Sequence, residues 1–166
     1  MDDYQLIWQI SAEHQQFGNG FLFRIYLGAG ITILGVIGIG LKLFTNLLPR
    51  KATFSAYFAT LFGLFWTTLH WNVMSAEKLE TDRLAAMLSS QQHETVQGVV
   101  KVLHQQPASG HSQGDIVEIA GKKIEINFYT ITPGYRNTIA NGGVLADGVE
   151  ARVRYVNDVI LSVEIK

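Results

Sequence analysis

The histidines and the serines beside them are the side chains of this chain that come nearest to suggesting catalysis, and their spacing argues against it. The five histidines, His14, His70, His93, His104 and His111, are scattered. His104 and His111 share one loop and are the best placed to ligate a metal ion. Neither an H-x-x-x-H pair nor a carboxylate at a defined interval accompanies them, as a zinc site would require. Ser109-Gly110-His111-Ser112 sets a nucleophile type beside a base type, but residues adjacent in sequence seldom reach triad geometry. Cysteine is absent, which excludes disulfides, thiolate metal sites and a cysteine nucleophile. No G-x-S-x-G, P-loop or dinucleotide-binding glycine pattern occurs. The sequence therefore predicts no catalytic residue, no metal and no cofactor.

Binding is a better prospect. The segment from Ile131 to Gly148 is long for a connection in a small domain, and Pro133-Gly134, Asn141-Gly142-Gly143 and Asp147-Gly148 punctuate it with turns. Long loops on a rigid frame tend to carry recognition. The residues expected to contact a ligand or partner are Tyr135, Arg136, Asn137, Asn141, Gly142 and Gly143. Nucleic acid is not an expected partner, because an electrostatic footprint is missing. From Glu94 to Lys166 there are seven Lys/Arg against eight Asp/Glu, and the whole chain has a formal net charge of −1. Arg152 and Arg154 alternate with apolar residues, and a solvated sheet face accounts for them.

The elements that must carry this loop are of two kinds. The chain is 48% hydrophobic and 16% charged, against about 25% charged in ordinary soluble domains. The deficit lies in the first half, with no Asp, Glu, Lys or Arg between Ala52 and Ala76. Two apolar runs, Phe21 to Leu48 and Phe54 to Val73, meet the roughly 20-residue requirement for a membrane-spanning helix. Arg24 and Lys42 interrupt the first run near its ends, where long side chains can reach the interface. A cleaved signal peptide is rejected, since Asp2, Asp3 and Glu13 occupy the place of its basic region.

At about 100° per residue, Arg24, Gly28, Thr32, Gly35 and Lys42 share one stripe of the first helix. Ala56, Thr60, Gly63, Thr67 and His70 share one stripe of the second. Small residues at such spacing let helices approach closely in lipid, and the short Pro49–Ala52 connection forces an antiparallel pair. Helix–helix packing through Gly28, Thr32, Gly35, Ala56, Thr60, Gly63 and Thr67 is the expectation. Lys42, Arg50 and Lys51 put the excess of basic residues at the hairpin tip, which predicts a cytoplasmic tip and both flanks outside.

The remaining organisation is a polar segment over residues 1–20, the hairpin over 21–74, a helical linker over 75–94 and an all-β domain over 95–166. The linker reads as capped by Ser75, and either continues the second helix as a stalk or packs loosely on the β domain. From Thr95 the apolar period changes to two. A two-residue Gly121-Lys122 turn would pair Ile119 with Ile124 and Val117 with Ile126. A three-residue loop, Val156–Asp158, would set Val153 opposite Leu161 and Ala151 opposite Val163, with Asn157 or Asp158 left-handed. Five strands then predict a small closed or nearly closed barrel, OB-like or alternatively SH3-like.

A run of residues in the β domain carries a resemblance. It comprises Val96-Gln97-Gly98-Val99-Val100, Gly110-His111, Thr132-Pro133-Gly134-Tyr135, Asn141-Gly142-Gly143, Gly148 to Tyr155 and Ile160 to Ile165. Over Val96–Ile165 the chain resembles a set of uncharacterised small bacterial membrane proteins with a C-terminal β domain. It departs from them in having Asn141 before the glycine pair, and Val144-Leu145 after it, where a His and a Pro-Ile are expected. The resemblance implies a bacterial inner-membrane setting and no mechanism. The reading that results is a multi-pass, membrane-anchored, non-enzymatic interaction or assembly module, with its β domain extracytoplasmic. Its expected partners are the lipid bilayer and another membrane or envelope protein, or a second copy. The alternative is a small oligomeric channel or transport accessory that uses Arg24, Lys42 and His70.

Overall fold

A computed structural model describes residues 3–11, 18–45, 49–110 and 112–166. The chain divides into two compact units, one formed by Gln15–Lys78 and the other by Met1–His14 together with Leu79–Lys166. Of the five histidines, His14 and His111 lie outside the described residues, as do Asn46, Leu47 and Leu48 at the end of the first apolar run.

The first unit is a helical hairpin. Helix α1 spans Gly18–Thr45 and helix α2 begins at Arg50. Both are long and apolar enough to cross a membrane. Large side chains such as Phe23, Leu34, Phe54, Phe58, Leu61 and Phe65 are exposed on the helices, while Gly28, Gly35, Ala56 and Gly63 are buried between them. That inversion of the usual order is what a lipid-facing pair requires.

Helix α2 does not stop where the apolar run ends. It continues without a break from Arg50 to Ser89, so Ser75 caps nothing and the expected linker is the rest of one helix of 40 residues, roughly 60 Å long at 1.5 Å per residue. Both readings of this linker hold: it continues the helix, and its end packs on the β unit through Leu84, Ala85, Met87 and Leu88. Its last turns belong to the second unit. The helix closes when Gln91 turns left-handed (φ 59°). Gln91 and Gln92 then return their N–H groups to Leu88 O and Met87 O, which satisfies carbonyls that a helix C-terminus leaves open.

The second unit is an antiparallel sheet of six strands: β1 Gln5–Gln9, β2 Glu94–His104, β3 Asp115–Ile119, β4 Lys122–Ile126, β5 Glu150–Val156 and β6 Val159–Ile165. Their order is β1-β6-β5-β2-β3-β4. This corrects the expected five-stranded closed barrel twice over. The sheet is open, and its sixth strand comes from the segment read as a polar leader to the hairpin. Five residues without strict alternation, Gln-Leu-Ile-Trp-Gln, carry too little pattern to be recognised as a strand. They form one because β6 offers an unpaired edge, with Gln5 opposite Ile165 and Gln9 opposite Ser162.

Strand β2 is the hinge of the sheet. Its first half, Glu94–Val99, pairs with β5, and its second half, from Val100, pairs with β3. Gly98 sits at the handover. A Cβ there would make ordinary van der Waals contact with Ala120 at 3.6 Å and Ile119 at 3.7 Å. The curled sheet encloses Val96, Val100, Val117, Ile119, Ile124, Ile126, Val153, Ile160 and Val163, all buried. On the other face, Leu161 and Ile10 pack with Leu84 of α2, and Trp8 borders both clusters.

Two hairpin registers differ from expectation, each for a local reason. Between β3 and β4 the turn is Ala120-Gly121, with both residues at positive φ (47° and 85°), and Ile124 faces Val117 rather than Ile119. A type I′ turn favours glycine at its second central position, and this outweighs the Gly121-Lys122 alternative. The two-residue shift keeps the apolar set on one face. Between β5 and β6 the loop has two residues, Asn157 and Asp158, both left-handed, not three. Arg154 faces Ser162, Val153 faces Val163 and Ala151 faces Ile165, because the register slips by one between Arg154 and Tyr155. The bulge turns Leu161 to the helix-packing face while Ile160 and Val163 both stay inside.

Candidate functional site

The 131–148 connection is a packed structure and covers the open side of the sheet. Gly134 lies against β6, where a Cβ would come within 2.5 Å of Val159 and 2.9 Å of Ile160 O. Tyr135 N donates to Ile160 O at 3.1 Å. The Tyr135 ring is buried with Leu145 in the main core, edge-on to Trp8 with ring centroids 5.4 Å apart. Its hydroxyl accepts Val144 N–H at 3.0 Å. Burial is the main cause that holds this phenol above the usual tyrosine range. Tyr135 is thus core, with an edge on the groove beside the loop.

The glycine pair is equally structural. Residues Ile139–Asn141 form one 3-10 turn that ends on Gly142 at φ 80°. Asn141 N and Gly143 N both donate to Thr138 O at 2.8 Å, and Asn141 Nδ2 donates to Thr138 Oγ1 at 2.7 Å. Thr138 is fully buried. A side chain on Gly143 would overlap Asn137 O. Asn141, Gly142 and Gly143 therefore shape the turn. The exposed remainder is Asn137 and Gly142, with Arg136 and Asn141 half-buried. Arg136 stands over the Phe128 ring at 5.6 Å.

A buried carboxylate fixes this surface to the frame. Asp115, 1% exposed, accepts Ile139 N–H at 2.6 Å with one oxygen and Gln106 N–H at 2.7 Å with the other. The Gln106 side chain, also fully buried, donates to Ser112 O and to Asn127 Oδ1 and accepts Phe128 N–H. At the far end of the connection, Asp147 Oδ1 accepts Val102 N–H from β2 at 2.9 Å. Three loops thus share one satisfied polar knot, and such networks rigidify when every member is paired. Sequence reasoning missed this knot. Asp115 reads as a polar strand start and Gln106 as loop filler until the chain is folded.

Beside the loop lies a groove of about 250 Å3 whose walls include Glu125, Asn127, Thr130, Thr132 and Asp158. Asp158 bonds Lys122 Nζ at 2.7 Å across the rim, and this bond raises the lysine above its ordinary value. The outer face of β5 and β6 carries a second charged set. Glu164 accepts from Arg152 at 3.2 Å and from Arg154 at 2.5 Å, with its side chain 12% exposed. Arg154 also donates to Ser162 Oγ at 3.2 Å. Two arginines thus share one carboxylate, where the alternation alone suggested a plain solvated face.

In the hairpin the stripe residues meet one another. A Cβ on Gly35 would lie 2.6 Å from Thr60 N and 2.7 Å from Ala56 O. One on Gly63 would lie 2.6 Å from Thr32 N and 2.7 Å from Gly28 O, and Gly28 faces Thr67 and Trp66. The hydroxyls of Thr32, Thr60 and Thr67 donate to carbonyls four residues back, Gly28 O, Ala56 O and Gly63 O. His70 is buried, donates Nδ1–H to Trp66 O at 2.9 Å and stacks on Trp66 at 4.5 Å.

Of the catalytic suspects, His104 is exposed at the end of β2, and Ser109 and Ser112 are exposed. Among the described residues no group of three or more His, Asp or Glu is arranged to hold a metal ion. Comparison with known protein families, curated proteins and solved structures finds no match for this chain.

Proposed function

We propose that this chain is a membrane-anchored, non-enzymatic interaction module of a bacterial inner membrane. Its helical hairpin sits in the bilayer, and its β unit presents a fixed loop surface to another envelope protein or to a second copy. The observation that carries this is the composition of the β unit. Strand β1 precedes the hairpin and strands β2 to β6 follow it, yet they form one sheet. A chain that crosses a bilayer twice returns both flanks to one compartment, and such a sheet demands that return. The exposed Phe23, Leu34, Phe58 and Phe65 then face lipid, where leaving them in water would be costly. The small and hydroxyl faces are consumed inside the hairpin, which favours an anchor over a pore. Lys42, Arg50 and Lys51 at the tip assign the β unit to the extracytoplasmic side. The surface offered to the partner is Arg136, Asn137, Asn141 and Gly142.

Single cysteines at Asp3, Ala52 and Ser112, labelled in intact cells with an impermeant maleimide, test the anchor. The expected result is labelling at Asp3 and Ser112 alone. Labelling of Asp3 and Ser112 in opposite compartments would end the reading. The binding half is tested by exchange of residues 136–142 for a short turn, followed by crosslinking in native membranes. Crosslinked partners that survive the exchange would remove the loop from the proposal.

A further inference from the structure

The β unit holds a polar cleft that neither the loop surface nor the anchor uses. It has a volume of about 550 Å3 and is lined by Gln9 of β1, Leu88 in the last turn of α2, Gln91, His93 and Arg154 of β5. None of its lining residues is acidic. Arg154 is held from one side only: a single terminal nitrogen makes its bonds to Ser162 and Glu164. Its Nε and its other terminal nitrogen have no partner among the described residues, and together they form the two-donor edge that matches an oxyanion. Its carboxylate partner, Glu164, is shared with Arg152. His93 lines the same cleft with a buried Nδ1 that finds no hydrogen-bond partner among the described residues, and buried polar atoms in native structures are normally satisfied. The side-chain amides of Gln9 and Gln91 bond to no described residue. The helix end beside the cleft would repel an anion through its carbonyls, but Ser90, Gln91 and Gln92 N–H groups occupy Ala86 O, Leu88 O and Met87 O.

We propose that this cleft binds a phosphate group borne on a larger molecule. The Arg154 edge takes two phosphate oxygens, and the Gln9 side-chain amide faces the others. The volume exceeds what one phosphate fills, so the cleft also accommodates the group attached to it. This inference rests on the β unit alone and not on the membrane reading.

The test is titration of the full chain in detergent micelles with inorganic phosphate, glycerol 3-phosphate and acetate at matched ionic strength. It is read by calorimetry and by the 15N resonances of labelled histidine, with His93 assigned by its absence in His93→Gln. Saturable phosphate binding that moves the His93 signal is expected, with acetate at least about tenfold weaker. Arg154→Lys keeps the ion pair with Glu164 and the fold, but removes the two-donor edge, and should weaken phosphate at least about tenfold, the loss of one charged hydrogen bond. Lys123→Gln, on the exposed strand β4, should leave binding unchanged. Tighter binding of glycerol 3-phosphate than of inorganic phosphate supports a phosphate borne on a lipid headgroup or sugar, and the reverse order, a free anion, would overturn it. No saturation by either phosphate, acetate as tight as phosphate, or binding indifferent to Arg154→Lys would each overturn the proposal.

Discussion

Removing the Asp115 carboxylate is the sharpest way to ask what holds the candidate loop surface in place. Its two oxygens accept Gln106 N–H at 2.7 Å and Ile139 N–H at 2.6 Å in a site 1% exposed. A hydrogen bond to a charged acceptor contributes about 1.5–3 kcal/mol, so Asp115→Ala should cost about 3–6 kcal/mol. It leaves two buried N–H groups without acceptors and no water able to reach them easily. Asp115→Asn keeps one acceptor oxygen and turns an NH2 toward the second N–H, so about half that loss is expected. One kcal/mol moves the midpoint of a domain of this size by about 4–8 °C, and Asp115→Ala should therefore lower it by at least about 12 °C. Thermal unfolding of the full chain in micelles, followed by near-UV circular dichroism, gives the magnitude. Hydrogen exchange gives the location: peptides covering 104–114 and 136–143 should lose protection together, while β5 and β6 keep theirs under native conditions. A loss below about 1 kcal/mol for Asp115→Ala, or protection lost in one loop alone, would refute the claim that this carboxylate ties the loops.

Gly35→Ala places a methyl group within 2.6 Å of Thr60 N and should destabilise the hairpin by about 1–3 kcal/mol. Gly30→Ala, with nothing within 4 Å, should be neutral or mildly stabilising, and melting of both variants in micelles compares them. Leu161→Ala, at 0% exposure against Ile10 and Leu84, should cost about 2–5 kcal/mol in the same assay. On the alkaline side, burial raises the Tyr4, Tyr135 and Tyr155 phenols, and the bond to Asp158 raises Lys122. Each folded value lies above its unfolded value, about 10 for all four groups. Their stabilisation is fully present below pH of about 10 and is lost as pH rises through the folded values. Midpoints measured from pH 8 to 11 should fall toward the upper end, and Tyr135→Phe should flatten that fall.

The hairpin and the β character of the C-terminal half were legible because they rest on long, repeated patterns. An uncharged stretch from Ala52 to Ala76 and small residues at helical spacing leave few alternatives, and strands β5 and β6 alternate cleanly enough to be bounded within a residue. What the sequence hid is whatever depends on a partner distant along the chain. Strand β1 is visible only from β6, and the polar knot only when Gln106, Asp115 and Asn127 are brought together. The Arg154 cleft needs β1, β5 and the end of α2 at once. The hairpin registers failed for a narrower reason: turn chemistry at Gly121 and a bulge at Arg154–Tyr155 each outweighed simple alternation. Tyr135 and Gly143, read from the sequence as contact residues, also pack the loop: Tyr135 lies in the core, and a side chain on Gly143 would overlap Asn137 O.

The pairing of Gln9 with Ser162 also sets a timetable. The two strands are separated by roughly 150 residues, so at about 5–20 residues per second a ribosome needs on the order of ten seconds or more between exposing one and the other. During that interval β1 has no partner, and the hairpin must already have chosen its orientation. If the hairpin inserts with only one crossing, β1 and β6 end up in different compartments and the sheet lacks a strand. In the membrane setting proposed above, completion of the sheet would work as a checkpoint on insertion. A misthreaded chain would be left with the raw edge of β6 and with Leu161 lacking its Ile10 cover, features by which a quality-control protease could tell it from its correctly threaded siblings.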